Sequence, residues 1–218
     1  PANLVHLIET VKKEKADFGV AYDGDADRIG VVEELGNNIW GDKLMIVFAK
    51  SILKDRPGAT LVGEVKCSQV MYDEIARLGG VPVMWKTGHS LIKARMKELK
   101  AAMAGEMSGH IFFADKWFGF DDAVYSSCRV LEIVANERVK DEGFVFSSML
   151  SGIAETVVTP EIRIDCPDDL KFELIKKLDT AIGSGASEFK IRDIIRIDGL
   201  RVNFEGGWAL VRASNTQP

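Results

Sequence analysis

The sequence predicts an α/β protein: a mixed, mainly parallel sheet followed by a smaller α+β C-terminal domain with an antiparallel sheet. Three observations carry that reading. From Thr60 to Arg138, short β-rich runs alternate with segments of helical apolar spacing, a rhythm that implies strand–helix–strand crossovers and parallel pairing. Beyond Ser151 the rhythm changes to short strands joined by Gly turns at Gly199 and Gly206-Gly207, the pattern of an antiparallel meander. With 218 residues and 46% hydrophobic content, the chain can fill one or two cores.

The elements follow in order. Leu4, Leu7, Ile8 and Val11 recur at helical spacing with Asn3 placed to cap them. Phe18 to Tyr22 and Ile29 to Val32 read as strands on either side of an acidic loop, and a turn at Gly36-Asn37-Asn38 leads to a helix from Asp42 to about Leu53, stopped by Pro57-Gly58. Thr60 to Val65 is a buried strand, Ser68 caps a helix bearing Met71, Ile75 and Leu78, and Gly79-Gly80 ends it before the strand Val81 to Trp85. A Ser90-capped helix to about Leu99, a strand from Ala101 to Ala104, the run Ile111-Phe112-Phe113 and a helix from Asp121 to about Arg138 complete the alternation. Past Ser151 come a strand pattern over Glu161 to Asp165, a helix from Asp168 to about Ile182, and strands at Ile194 to Ile197, Leu200 to Phe204 and Trp208 to Val211.

A net charge of −5 argues against nucleic acid or an anionic membrane as partner, since either needs a concentrated basic face. No apolar run approaches the ~20 residues of a membrane helix. Cys67, Cys128 and Cys166 are scattered without metal-ligand spacing, which predicts structural burial for each and a reduced, cytoplasmic setting. Pro1 in place of an initiator Met and the polar run Arg212 to Pro218 predict that both ends are cuts through a longer protein.

The chemistry concentrates in Asp23-Gly24-Asp25-Ala26-Asp27-Arg28, where three carboxylates alternate along a short loop between strands. Such acids repel and raise one another's pKa, so a hard, oxygen-preferring cation such as Mg2+ or Ca2+ is the expected neutraliser. A polar turn is the bland alternative. An EF-hand fits poorly: Glu34 is twelfth from Asp23, but the sixth position is Arg28 where Gly is needed, and the flanks are strands.

Ligands of α/β sheets gather at the carboxyl ends of strands, and three polar loops fall there, around Lys66, His89 and Glu106. Lys66 is placed as a positioned cation, and His89 stands near a helix N-terminus that attracts phosphate oxygens. Glu106 and Ser108 can read sugar hydroxyls, while His110 can shuttle a proton near neutral pH. The series Arg212-Ala213-Ser214-Asn215-Thr216 joins a guanidinium to small hydrogen-bonding side chains, a composition suited to phosphate. For each loop the bland reading is an ordinary surface turn or frayed end. Together they favour phosphoryl transfer on a small polyhydroxy substrate, the metal neutralising charge at the transferring group.

Four motifs in order, Asp23–Arg28, Lys86-Thr87-Gly88-His89-Ser90, Gly105-Glu106-Met107-Ser108-Gly109-His110 and Arg212–Thr216, make the chain resemble the α-D-phosphohexomutases, nearest to the bacterial phosphomannomutase/phosphoglucomutase group. Glu-Met-Ser-Gly-His and Arg-Ala-Ser-Asn-Thr set it apart from the phosphoglucosamine mutases, which typically carry Glu-Gln-Ser-Gly-His and Arg-Xaa-Ser-Gly-Thr. The resemblance implies a four-domain enzyme that interconverts hexose 1- and 6-phosphates through a phosphoserine and a hexose 1,6-bisphosphate. It implies Mg2+ on Asp23, Asp25 and Asp27, and Arg28 beside the transferring phosphoryl group. Lys66, His89 and His110 would line the catalytic centre. Glu106 and Ser108, within the substrate loop that also holds Met107 and Gly109, would read sugar hydroxyls, and Arg212, Ala213, Ser214, Asn215 and Thr216 would grip the distal phosphate. It implies domain 2 ending over residues 1–37, domain 3 over 38–151 and a truncated domain 4 over 152–218.

The family's Thr-Ala-Ser-His-Asn-Pro phosphoserine motif is missing from the chain, and Ser68 and Ser108 lie in other motifs. The expected partners are therefore a phosphorylated hexose and an N-terminal phosphoserine domain of the same protein. Alone, the chain is expected to be a non-catalytic sugar-phosphate and Mg2+-binding module. A phosphoglucosamine mutase parent is the nearer alternative, and a metal-dependent phosphatase, which would need an aspartate nucleophile in the loop, is the more distant one.

Overall fold

Alternation of side chains along the central strands decides how the layers form. In the computed structural model, which describes residues 2–185 and 189–214, the chain divides into two units, residues 1–154 and 155–218. In the first, β4 (Thr60–Glu64), β5 (Val81–Trp85), β6 (Met103–Gly105) and β7 (Ile111–Phe113) form a sheet of order β5-β4-β6-β7, with β7 alone antiparallel. Leu61, Met103, Ile111 and Phe113 face one core together with α2 (Gly41–Asp55), α3 (Gln69–Arg77) and α5 (Ala123–Lys140). Val62, Ala104 and Phe112, one residue out of phase, face a second core with Ile92 and Met96 of α4 (His89–Leu99). Period-two alternation thus loads both faces of the sheet.

Helix α2 is buried nearly all round, Leu44 to Ala49 lying at 0–1% exposure, as a helix sandwiched in a core must be. Phe48 meets Phe113 edge-to-face with centroids 4.9 Å apart. A second sheet, β1 (Phe18–Tyr22), β2 (Ile29–Glu33) and the two-residue β3 (Asn38–Ile39), is an antiparallel meander. Its Ile29, Val31 and Ile39 join the first core, and α1 (Val5–Glu14) covers it so closely that a Cβ on Gly19 would lie 2.6 Å from Val11.

The second unit consists of α6 (Asp168–Gly183) and the antiparallel sheet β10-β9-β8, formed by β8 (Ile191–Ile195), β9 (Leu200–Phe204) and β10 (Gly207–Val211). Arg201 is fully buried with its guanidinium 3.9 Å from the Trp208 ring centroid. Among the described residues no helix is long and apolar enough to cross a membrane.

Several local expectations are corrected. A 3-10 turn over Ala2–Leu4 precedes α1, whose first turn takes no side-chain cap, so Asn3 does not cap it. Ser68 does cap α3, accepting from the Val70 N–H at 3.2 Å, but Ser90 lies inside α4, which starts after Gly88 at φ +127. Helix α5 starts at Ala123 rather than Asp121, and Asp122 caps it by accepting from the Tyr125 N–H. The third strand of the main sheet is shifted to Met103–Gly105. Glu161 to Asp165 form no strand: their alternating pattern is exposed throughout, and alternation without a partner strand specifies nothing. Cys67 is buried, whereas Cys128 is exposed on α5 and Cys166 is half-buried.

Candidate active site

The acidic loop, between β1 and β2, is built on a reversal at Ala26. That residue adopts φ +58, a left-handed conformation costly for a side chain, and is held by Ala26 N–H to Asp23 C=O at 3.2 Å and by the Ala123 N–H, which donates to Ala26 C=O at 3.1 Å. The reversal brings carboxylate oxygens of Asp23, Asp25 and Asp27 within 4.8 Å of one another. Arg28 Nε donates to Asp23 Oδ2 at 2.5 Å and lies 3.6 Å from Asp27 Oδ1. Burial works to raise the Asp23 pKa, but the backbone and side-chain hydrogen bonds from Arg28 outweigh it and hold the carboxyl below its usual range.

The three loops predicted at the strand ends do converge. Glu106, 4% exposed, follows β6 and gathers the others: its Oε1 accepts from Gly88 N–H at 2.8 Å, and its Oε2 accepts from Ser108 Oγ at 3.1 Å and faces His110 Nδ1 at 2.8 Å. Burial alone would raise its pKa, and these hydrogen bonds reverse that, leaving it lowered. His89 lies edge-on to His110 with ring centroids 5.7 Å apart, and its Nδ1 is 3.6 Å from Asp121 Oδ2. Lys66 Nζ lies 3.9 Å from Glu64 Oε2.

His110 joins this cluster to the acidic loop. It pairs with Arg28 as an isolated antiparallel bridge, Ile29 N–H donates to Gly109 C=O at 3.1 Å, and His110 Nε2 stands 3.3 Å from Asp27 Oδ1. Burial disfavours the imidazolium, but Glu106 and the nearby charges of Asp27 and Asp121 win, so the His110 pKa is raised. Gly109, at φ +101, is required at this seam, because a Cβ there would stand 2.5 Å from the Ile29 carbonyl oxygen. Met107, next to Glu106, gives its N–H to Glu64 Oε1 at 2.9 Å.

A divalent cation fits the acidic loop on one further observation. Asp27 Oδ1 is shielded from solvent and, among the described residues, accepts no hydrogen bond, although cationic groups stand close. An oxygen so placed, beside two further carboxylates, has a free lone pair for an oxygen-preferring ion.

In the second unit, Arg212 Nε donates to Asp198 Oδ2 at 3.1 Å. The turn before β9 presses on the same segment: a Cβ on Gly199 would lie 2.3 Å from the Val211 carbonyl oxygen. Ala213 lines a cavity of about 260 Å³ with Phe172, Ile175, Lys176, Arg196 and Leu200. Ser214 follows in the same extended segment, and Asn215 and Thr216 lie outside the described residues.

Sequence reasoning passed over two acids. Asp121 accepts from Lys93 Nζ at 2.9 Å and faces His89, and Glu64 touches all three converging loops. The signal for Glu64 was available, a carboxylate closing an apolar strand two residues before Lys66; Asp121 looked like an ordinary helix start.

These features define an α/β/α sheet protein with an acidic loop pinned to the carboxyl ends of its parallel strands. Family descriptions match along most of the chain: "Phosphoglucomutase/phosphomannomutase, alpha/beta/alpha domain II" over residues 1–36, domain III over 40–151 and the C-terminal domain over 161–218. The chain belongs to the phosphoglucomutase/phosphomannomutase family. A phosphomannomutase/phosphoglucomutase of Pseudomonas aeruginosa is 49% identical over 220 residues, covering 100% of this chain and 45% of that protein. A phosphoglucomutase of Neisseria gonorrhoeae is 42% identical, again over 100% of this chain and 45% of its own length. The crystal structure of a phosphoglucomutase/phosphomannomutase family protein from Burkholderia thailandensis superposes with a TM-score of 0.87 at 42% identity, over 100% of this chain and 44% of that one. The chain thus spans about half the length of the curated relatives it matches.

Proposed function

We propose that this chain is the metal-, sugar- and phosphate-binding portion of a cytoplasmic hexose-phosphate mutase, interconverting the 1- and 6-phosphates of glucose and mannose. The reading rests on one observation above the others: His110 bridges the sugar-type loop and the acidic loop, with Glu106 on one ring nitrogen and Asp27 at the other. A site assembled this way presents an acidic cation cradle, an imidazole and hydroxyl-reading groups to one small volume, as transfer of phosphate on a polyhydroxy substrate requires.

In this reading Asp23, Asp25 and Asp27 hold Mg2+, which supplies charge neutralisation at the phosphoryl group. Arg28 orients phosphoryl oxygens, its guanidinium fixed by Asp23. Lys66, His89 and His110 line the site and move protons to and from the sugar hydroxyl. Glu106 and Ser108, with Met107 and Gly109 shaping the loop, read ring hydroxyls, and Arg212, Ala213, Ser214, Asn215 and Thr216 hold the phosphate that stays in place. The nucleophile is a serine of a preceding domain, and a hexose 1,6-bisphosphate is the intermediate. Residues 1–37, 38–151 and 152–218 belong to three successive domains. The nearer alternative is a phosphoglucosamine mutase; the Met107 and Asn215 positions favour the glucose/mannose branch.

The test is direct. The intact protein carrying this chain, given Mg2+ and catalytic glucose 1,6-bisphosphate, is expected to convert glucose 1-phosphate and mannose 1-phosphate to the 6-phosphates in a phosphorus NMR time course. Conversion of glucosamine phosphate alone would move the assignment to the alternative, and no conversion of any hexose phosphate would reject it.

A further inference from the structure

Strands β4 and β6 run parallel with Gly63 opposite Gly105, so the next residue on each, Glu64 and Glu106, leaves the sheet side by side. Both carboxylates are buried, at 0% and 4% exposure. Two acids in one apolar environment repel, and each needs its own compensation. Glu106 takes its own from Gly88, Ser108 and His110. Glu64 is compensated only in part, burial and the Glu106 charge still holding its pKa above the usual carboxylate range: its Oε1 accepts from Met107 N–H at 2.9 Å, its Oε2 faces Lys66 Nζ at 3.9 Å, and Thr87 lies against it. Its main chain is held as well, since Tyr72 Oη donates to the Glu64 carbonyl at 2.6 Å.

Glu64 therefore touches all three converging loops: Lys66 after β4, Thr87 after β5 and Met107 after β6. A buried carboxylate is costly, and an apolar residue of equal volume would fill the same space without that cost. Its distance to Lys66 is that of an ion pair too long for a hydrogen bond. The ammonium is held in place electrostatically while its N–H donors are not spent on Glu64. We infer that Glu64 is a positioning residue, acting through Lys66 and the Met107 amide to set the three substrate-facing loops. This rests on the mutase reading above, because it assigns Lys66 to the substrate.

The variant Glu64→Gln keeps the volume and an acceptor for Met107 but removes the charge facing Lys66; Glu64→Asp keeps the charge and withdraws it by one methylene. In the intact protein, both are expected to lower kcat/KM at least about tenfold, mainly through kcat, while Glu64→Gln melts within a few degrees of wild type. In a Lys66→Met background, Glu64→Gln is expected to change kcat/KM less than about twofold, because the two act as a unit. Glu64→Gln at wild-type kcat/KM, or with its full effect in the Lys66→Met background, overturns the inference. An inactive wild type instead rejects the mutase reading. Hydrogen exchange then decides the positioning role: faster exchange confined to residues 65–67 and 106–110 in Glu64→Asp supports it, and unchanged exchange there overturns it.

Discussion

His110 Nδ1 lies 2.8 Å from Glu106 Oε2 within the loop after β6, while Nε2 of the same ring stands 3.3 Å from Asp27 Oδ1, so one imidazole ties that loop to the loop that carries the three aspartates. The glutamate is held low and the histidine high against the opposing effect of burial on both.

Glu106→Gln is expected to lower the His110 pKa, because the largest of the charges that oppose burial is gone. In metal-free buffer, proton NMR of the imidazole reads this directly. The sign for stability follows from linkage. A histidine raised above its usual 6.5 contributes stability that is complete below that value and is lost as pH rises through the folded pKa. Wild type should therefore lose stability as pH rises above 6.5, and Glu106→Gln should lose less. A His110 pKa that does not fall in the variant contradicts the assignment.

Gly109→Ala should separate the two loops. The backbone there has φ +101 and the new Cβ would stand 2.5 Å from the Ile29 carbonyl oxygen, on a seam whose own bond is Ile29 N–H to Gly109 C=O. The strain is of order 1–3 kcal/mol or more. Denaturant unfolding of the 218-residue chain should show that loss. Wild-type stability would mean the seam is not as tight as described.

Much of this was legible before the structure because chemistry and conformation wrote it locally. Alternate aspartates around a turn, a Ser cap before α3, and Gly-flanked polar loops at strand ends each carry their signal within a few residues. What was missed depends on partners far along the chain. Glu64 draws its importance from Met107, 43 residues on, and Asp121 from Lys93, 28 residues back. Glu161 to Asp165 show the converse: they carry a strand's alternation, but no neighbouring strand takes it up.

Mg2+ is expected to bind the 218-residue chain weakly, with Kd above about 0.1 mM by calorimetry, because only three carboxylates are offered and Arg28 already engages Asp23 Oδ2 at 2.5 Å. Asp27→Asn, which removes the charge at the Oδ1 that accepts no hydrogen bond among the described residues, should abolish the signal. Binding at low micromolar Kd, or binding unaffected by Asp27→Asn, would show that the loop is complete in itself or that the ion sits elsewhere.

The central claim is that these loops form one half of a phosphohexose mutase site whose nucleophilic serine lies in a preceding domain. A side-by-side coupled assay of the intact protein and of residues 1–218, with glucose 1-phosphate, Mg2+ and catalytic glucose 1,6-bisphosphate, tests it most directly. The account predicts turnover by the intact protein and none above background from the 218-residue chain. Turnover by the chain at the intact protein's rate, or none by either, would contradict it.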